Sequence, residues 1–212
     1  KIAHKKYSFF GWYLYRKHLE KVINLSITEN KIDLIEAPDW TGITAFIKFK
    51  CPLLIRLHGS DAYFCNLENR KQKFKNFFFE KSALKRADKI ISVSAFTAQK
   101  TKKIFSLKSN IEVIPNGIDI EKFKPISSKI NKGQILYFGS IIRKKGVFEL
   151  AQAFNLLINE NPEVSLILLG KDVVDVFEKK STLALFFSYL SDNAKSKVTH
   201  LNEVPYHKVS EI

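Results

Sequence analysis

The residues best suited to chemistry in this chain lie in three short segments. One is Leu136-Tyr137-Phe138-Gly139-Ser140-Ile141-Ile142-Arg143-Lys144-Lys145-Gly146. An apolar run ends at Gly139, a basic loop follows, and a helix starts after Gly146. A helix N-terminus presents unpaired backbone N–H groups and a partial positive charge. Arg143, Lys144 and Lys145 add three cations, so the loop suits an anion, and a diphosphate above all. A lysine about 4 Å from one phosphate charge gains roughly 4 kcal/mol at an effective dielectric near 20, before desolvation. A solvated basic turn would read the same way in so cationic a chain. The GxxxxGK[ST] spacing of a phosphate loop is absent, and no Gly-x-Gly-x-x-Gly follows a strand.

The second segment is Arg56-Leu57-His58-Gly59-Ser60-Asp61, at the end of an apolar run. In open α/β sheets, ligands bind in the crevice beyond the strand ends. Gly59 permits a sharp turn and close backbone approach there, and His58 would project into that crevice. A histidine satisfied by local turn bonds is the alternative. The third segment, Val113-Ile114-Pro115-Asn116-Gly117-Ile118-Asp119, carries a turn signal at Asn116 and Gly117. The five histidines, and the cysteines Cys51 and Cys65, fall at no metal-ligand spacing. No metal site and no cofactor are expected.

The elements that must position these segments follow from periodicity. Residues 7–25 and 41–49 read as helices, 66–87 as one long basic helix, and 95–105 as another. Strands are expected at 33–37, 52–57, 89–94 and 111–114. Residues 118–133, with Pro125, Ser127, Ser128 and Gly133, read as a linker. The rhythm then restarts with a strand at 134–139 and a helix from Lys145-Gly146 to about 159. A strand at 164–170, a mostly helical stretch at 174–193, a strand at 198–201 and a helix starting at 205 follow. Strand-length apolar runs without in/out alternation, alternating with helices, indicate parallel sheets covered on both faces. The expected class is α/β: two Rossmann-like, doubly wound units in series, covering 1–117 and 134–212.

The 212 residues leave room for two small domains. Hydrophobic residues at 45% and charged residues at 26% are the mix of a folded globular protein. The net charge of +14 points to an anionic partner: nucleic acid, membrane surface or a phosphate-bearing ligand. Two cysteines are too few for a disulfide scaffold and fit a reducing, cytoplasmic setting. No apolar run is long enough to span a bilayer. The chain has no methionine, so it is expected to be a piece of a longer protein.

The order of these segments resembles the family 4 glycosyltransferases, retaining enzymes of GT-B fold. The resemblance is carried by Asp33-Leu34-Ile35-Glu36-Ala37-Pro38-Asp39-Trp40, then Leu57-His58-Gly59-Ser60-Asp61, then Ala87-Asp88-Lys89-Ile90-Ile91-Ser92-Val93-Ser94. It continues through Val113-Ile114-Pro115-Asn116-Gly117-Ile118-Asp119, Phe138-Gly139-Ser140, Lys144-Lys145-Gly146, Leu166-Ile167-Leu168-Leu169-Gly170 and Val198-Thr199-His200-Leu201-Asn202-Glu203-Val204-Pro205. It implies metal-independent transfer of a sugar from a nucleotide-diphosphate sugar to a glycan or lipid-linked acceptor. It assigns the acceptor side to residues 1–117 and the donor side to 134–212. It places His58 beside the transferred sugar, in a cleft between the two. Gly139, Ser140, Arg143, Lys144 and Lys145 fall at the diphosphate, and Gly170, Asn202 and Val204 along the nucleotide pocket. Asn116 and Gly117 mark the turn between the domains. Ser140 departs from the arginine common at its position, and Arg143 or Lys144 would replace that charge. The family's glycine-rich first loop is expected before Lys1, and its Glu-x7-Glu motif after Ile212; a piece lacking both is expected to be inactive alone.

The basic helix expected over 66–87 has two readings. Phe74, Phe77, Phe78, Lys81 and Leu84 form a stripe at helical spacing, which could face the core beneath a solvated basic face. Alternatively Lys71, Lys75 and the adjacent phenylalanines dock on an anionic membrane surface, making the protein peripheral at the membrane's inner face. No nucleic-acid partner is expected, since no RNP-like, KH or zinc pattern accompanies the charge. A non-catalytic basic module binding membrane or nucleic acid, and a GT-B sugar-nucleotide epimerase, are the rival functions.

Overall fold

Among the described residues, seven strands form two separate, parallel sheets. A computed structural model describes residues 11–124 and 130–212, with the side chains of 210 and 211 outside the description. Residues 7–10 of the first expected helix and 125–129 of the expected linker lie outside the described residues. The chain divides into two compact units, Lys1–Gly117 and Ile118–Ile212.

The first unit begins with α1 (Gly11–Glu29), then β1 (Ile35–Pro38), β2 (Leu53–Leu57), α2 (Asp61–Leu67), α3 (Phe74–Arg86), β3 (Lys89–Ser92), α4 (Ala95–Phe105) and β4 (Glu112–Val113). The sheet order is β1-β2-β3-β4, every pair parallel. Pro38 closes β1 opposite Arg56, which an outer strand tolerates. Ile55 and Leu57 of β2, with Leu84, Ala83 and Phe105 from the helices, form the core.

The second unit holds β5 (Gln134–Phe138), α5 (Val147–Glu160), β6 (Ser165–Leu169), α6 (Thr182–Ser188), α7 (Asp192–Ser196) and β7 (Val198–Leu201). Its sheet runs β5-β6-β7, again parallel. Phe154, Ile158, Leu166, Leu168 and Phe186 fill the core. Leu136 and Phe138 are 47% and 60% exposed, so one face of β5 lacks the cover expected on both sides of the sheet.

Serine starts four helices. Ser60, Ser94, Ser181 and Ser191 each accept the amide three residues ahead, satisfying one open N–H of α2, α4, α6 and α7.

Three expected elements are corrected. Residues 41–49 form no regular helix. A 3₁₀ turn at Trp40–Gly42 is followed by turns, with Thr41 and Phe46 at φ +56° and +65°. The cause is packing against α3: a Cβ on Gly42 would stand 2.3 Å from the Phe79 carbonyl carbon. The long helix over 66–87 is two helices. Asn69 takes φ +50°, and the Arg70 amide closes back on the Cys65 carbonyl at 2.8 Å. The stretch 174–193 is likewise α6 and α7 after a turn built on Asp175.

The break between α2 and α3 turns on Glu80, which is fully buried. Its carboxylate accepts the amides of Thr41, Asp61 and Ala62 and the Gln72 side-chain amide, at 2.9–3.1 Å. Burial pushes its pKa above the ordinary glutamate range, and the amide donors pull against that. Removing the carboxylate leaves three backbone N–H groups unpaired, that of Ala62 buried and those of Thr41 and Asp61 half-buried. Glu80→Ala is expected to lower the unfolding free energy of the first unit by about 3 kcal/mol, with Glu80→Gln losing less. Urea unfolding followed by circular dichroism measures this; a loss under about 0.5 kcal/mol would show that Glu80 is not the tie.

Candidate functional site

Parallel pairing puts the C-terminal ends of β5, β6 and β7 on one edge of the second unit's sheet. Gly139 follows β5 and Gly170 follows β6. Both take left-handed backbone conformations, φ +135° and +148°. Their contact is close: a Cβ on Gly170 would fall 2.1 Å from the Gly139 carbonyl oxygen. No other residue type fits there. The Gly139 amide donates to Leu169 O at 2.8 Å, and the Gly170 amide to Leu201 O at 3.0 Å.

Lys145 completes this arrangement. A 3₁₀ turn over Arg143–Lys145 ends at Gly146, φ +76°, which is also the N-cap of α5. The turn folds Lys145 back over the strand end, so that its amine occupies the space a Cβ on Gly139 would need. Gly146, as N-cap, has no side chain with which to cap the first turn of α5. A cation thus lies over a two-glycine floor, in the same loop as a helix start whose N-cap is glycine, and that combination can hold an anion. Ser140 is exposed beside it, its carbonyl taking the Tyr137 hydroxyl proton at 2.9 Å. Asn202 is exposed and Val204 half-buried past the end of β7.

Arg143 is turned to another task. Its guanidinium makes a two-pronged pair with Asp175, Nε–Oδ2 2.8 Å and Nη2–Oδ1 3.0 Å, and lies against the Phe148 and Phe177 rings. Asp175 is 3% exposed and also accepts the Phe177 and Glu178 amides. Arg143 therefore anchors the loop after β6, and Lys145 is the cation seated over the glycines. Lys144 is exposed. Sequence reasoning missed Asp175, whose one signal was a lone acid between valines. It also missed His200, whose Nε2 donates to Gly170 O at 2.9 Å and braces the floor from β7.

In the first unit, His58 follows β2 and is exposed. Its amide and that of Gly59 donate to the Asp39 carboxylate at 3.1 and 3.2 Å. Gly59 has φ +110°. Asn116 and Gly117 are exposed beyond β4, with nothing within 4 Å of a Cβ placed on Gly117. Among the described residues, no group of three His, Cys, Asp or Glu side chains could hold a metal ion. The stripe expected on α3 is rearranged: Phe79, Glu80, Ala83 and Leu84 are buried, while Phe74 and Phe78 are 82% and 46% exposed.

Comparison with known proteins bears on the family and the fold. Glycosyltransferase Family 4 matches residues 3–122, more than half of the chain. The chain is 26% identical over 134 residues to a GDP-mannose:cellobiosyl-diphosphopolyprenol alpha-mannosyltransferase of Xanthomonas campestris, covering 63% of this chain and 34% of that protein. It is 24% identical over 169 residues to an uncharacterised glycosyltransferase of Bacillus subtilis strain 168, covering 78% and 47%. The chain thus spans about a third to a half of these relatives' length. Among solved structures it resembles sucrose-phosphate synthase from Thermosynechococcus elongatus, with TM-score 0.68, 16% identity, and 97% of this chain against 54% of that one. Anabaena HepE, solved in complex with UDP-glucose, matches with TM-score 0.57, 21% identity, and 88% against 52%. The chain belongs to glycosyltransferase family 4, and its fold is of GT-B type.

The Arg143–Asp175 pair predicts an acid dependence. The guanidinium and the two amides hold the Asp175 carboxyl well below the usual aspartate range. Its contribution to stability is complete above the unfolded-state pKa, about 4, and is lost as pH falls toward the depressed folded value. Asp175→Asn is expected to destabilise the second unit at neutral pH and to flatten its loss of stability below about pH 4. Thermal melts from pH 7 to 2 measure it; parallel pH curves for both proteins would contradict the assignment.

Proposed function

We propose that this member of glycosyltransferase family 4 is part of a retaining enzyme that moves a sugar from a nucleotide-diphosphate sugar to a glycan or lipid-linked acceptor without a metal. The observation that carries the reading is the Lys145 amine over the Gly139 and Gly170 floor. As the bond between the anomeric carbon and the diphosphate breaks, its electron pair passes to the phosphate oxygens. The acceptor oxygen bonds to that carbon, and its proton leaves with the diphosphate. Lys145 and the N–H groups at the start of α5 meet the growing negative charge. Ser140 and Lys144 line the diphosphate, with Asn202 and Val204 along the nucleotide. Arg143 acts one step back, by holding the loop after β6 through Asp175. His58 sits beside the transferred sugar and polarises the reacting centre.

A lipid-linked acceptor is favoured by the surface of α3. The Phe74 and Phe78 rings stack in parallel, 6.4 Å apart at 13°, and both are exposed. Exposed Lys71, Lys73 and Lys75 flank them. Aromatic rings with a lysine border suit an anionic lipid surface. Among the described residues no helix is long and apolar enough to cross a membrane, so the contact proposed is peripheral, at the inner face of a membrane. The Xanthomonas relative, by its name, acts on a diphosphopolyprenol, which supports the same acceptor class.

Three measurements test this reading in the whole protein. Lys145→Ala is expected to weaken binding of GDP or UDP by roughly 1–3 kcal/mol, about 5-fold to 150-fold, and to leave the unphosphorylated nucleoside nearly unaffected. Calorimetric titration decides, and equal diphosphate binding by mutant and wild type would sink the anion-loop account. His58→Ala is expected to lower turnover more than donor affinity; unchanged turnover would remove His58 from the mechanism. Vesicles rich in anionic lipid are expected to bind the protein at low salt and release it as salt rises, with Lys71→Glu/Lys75→Glu binding less. Equal binding to neutral vesicles would refute the electrostatic contact.

A further inference from the structure

Two carboxylates of the first unit are buried without a cation. Asp39 is 1% exposed and Glu80 fully buried, and neither forms an ion pair among the described residues. A buried, unpaired carboxylate is unfavourable unless strong hydrogen bonds compensate it. Both find that compensation in one short stretch of backbone, residues 58–62. The amides of His58 and Gly59 donate to Asp39, and those of Asp61 and Ala62 to Glu80. Ser60 adds its own cap to the Tyr63 amide.

The two carboxylates divide the stretch. Glu80 holds the start of α2 and the Thr41 turn, which is a matter of folding. Asp39 holds the two residues at the end of β2. It stands one residue beyond β1, and the amides it accepts lie one and two residues beyond β2, so it ties neighbouring strand ends at the C-terminal edge of the sheet. The bonds are split, one to each oxygen, which fixes the rotation of the His58–Gly59 peptide and not only its distance. Gly59 admits this turn at φ +110°, with the Tyr63 and Phe64 rings 3.0 Å from the space a Cβ would take. The side chain of the fixed stretch left exposed at its start is His58.

We propose that Asp39 is a positioning residue, which fixes the backbone from which the His58 side chain projects, through the His58 and Gly59 amides. This rests on the reading of His58 as the group beside the transferred sugar. Asp39 touches no reacting atom. Its replacement by asparagine keeps the size of the side chain but turns an NH₂ group toward one of the two N–H donors, so one bond is lost and the peptide is free to rotate.

The test is a double-mutant cycle in the whole protein, using Asp39→Asn, His58→Ala and the pair, with amide hydrogen exchange alongside. Asp39→Asn is expected to lower kcat about 10-fold to 100-fold, the scale of a misplaced catalytic group, with donor KM within about two-fold. In the His58→Ala background it is expected to lower kcat no further. Equal losses in both backgrounds would assign Asp39 to folding alone and overturn the proposal. Unchanged kcat in His58→Ala would instead overturn the reading on which the proposal rests, and the backbone tie is then judged by exchange. In the unmodified protein, the His58 and Gly59 amides are expected to exchange about 100-fold slower than an open loop, and Asp39→Asn to abolish that protection. Open-loop exchange in the unmodified protein would refute the tie even if Asp39→Asn does not fold.

Discussion

The close approach of Gly170 to Gly139 is the constraint on which the second unit's site depends. With 2.1 Å between a would-be Cβ on Gly170 and the Gly139 carbonyl oxygen, the two strand ends meet only because Gly170 lacks a side chain. From that contact the rest follows. The β5 loop turns at Gly139, which leaves the space that the Lys145 amine fills. The 3₁₀ turn ending at Gly146 delivers Lys145 there and starts α5 in the same residue. His200 braces the Gly170 carbonyl from β7, and Arg143 with Asp175 holds the loop beyond β6. One geometric fact thus places a cation, a helix start and two strand ends on one edge.

The first unit uses a different device. Two buried carboxylates, Asp39 and Glu80, tie its C-terminal sheet edge by working on backbone amides and not on cations. That choice leaves the surface open at His58, which is exposed. A salt bridge there would put a long basic side chain over the edge, whereas Asp39 and Glu80 act from within. The same unit carries Lys75 and two stacked phenylalanines outward on α3, so core, edge and outer face are served by separate residues.

Much of this was legible in the sequence. The strand runs at 52–57, 89–94, 134–139 and 198–201 announced parallel sheets, and β7 and α4 have the bounds that periodicity gives them. Lys145 before Gly146 marked the loop for which anion binding is proposed, because a strand-ending glycine, a cation and a helix start stand within eight residues. What could not be read were properties of packing. The phenylalanines of α3 fit the expected stripe as well as the observed one, and only the turn at Asn69 and the Glu80 bonds choose between them. Arg143 looked like a neighbour of Lys145 with the same task until Asp175, 32 residues away, took its guanidinium. Asp39 stands in a segment that carries the family resemblance, but its task could not be read, since its partners are backbone amides 19 and 20 residues ahead.

The central claim is that an anion seats on the glycine floor beneath Lys145. The most direct measurement is NMR titration of the protein with a nucleoside diphosphate in the absence of divalent metal, compared with the bare nucleoside. The account predicts saturable shifts of the Gly139, Ser140 and Gly170 amides and of the Lys145 side-chain amine with the diphosphate alone. Shifts that leave these four groups unmoved, or that arise only once Mg²⁺ is added, would contradict it.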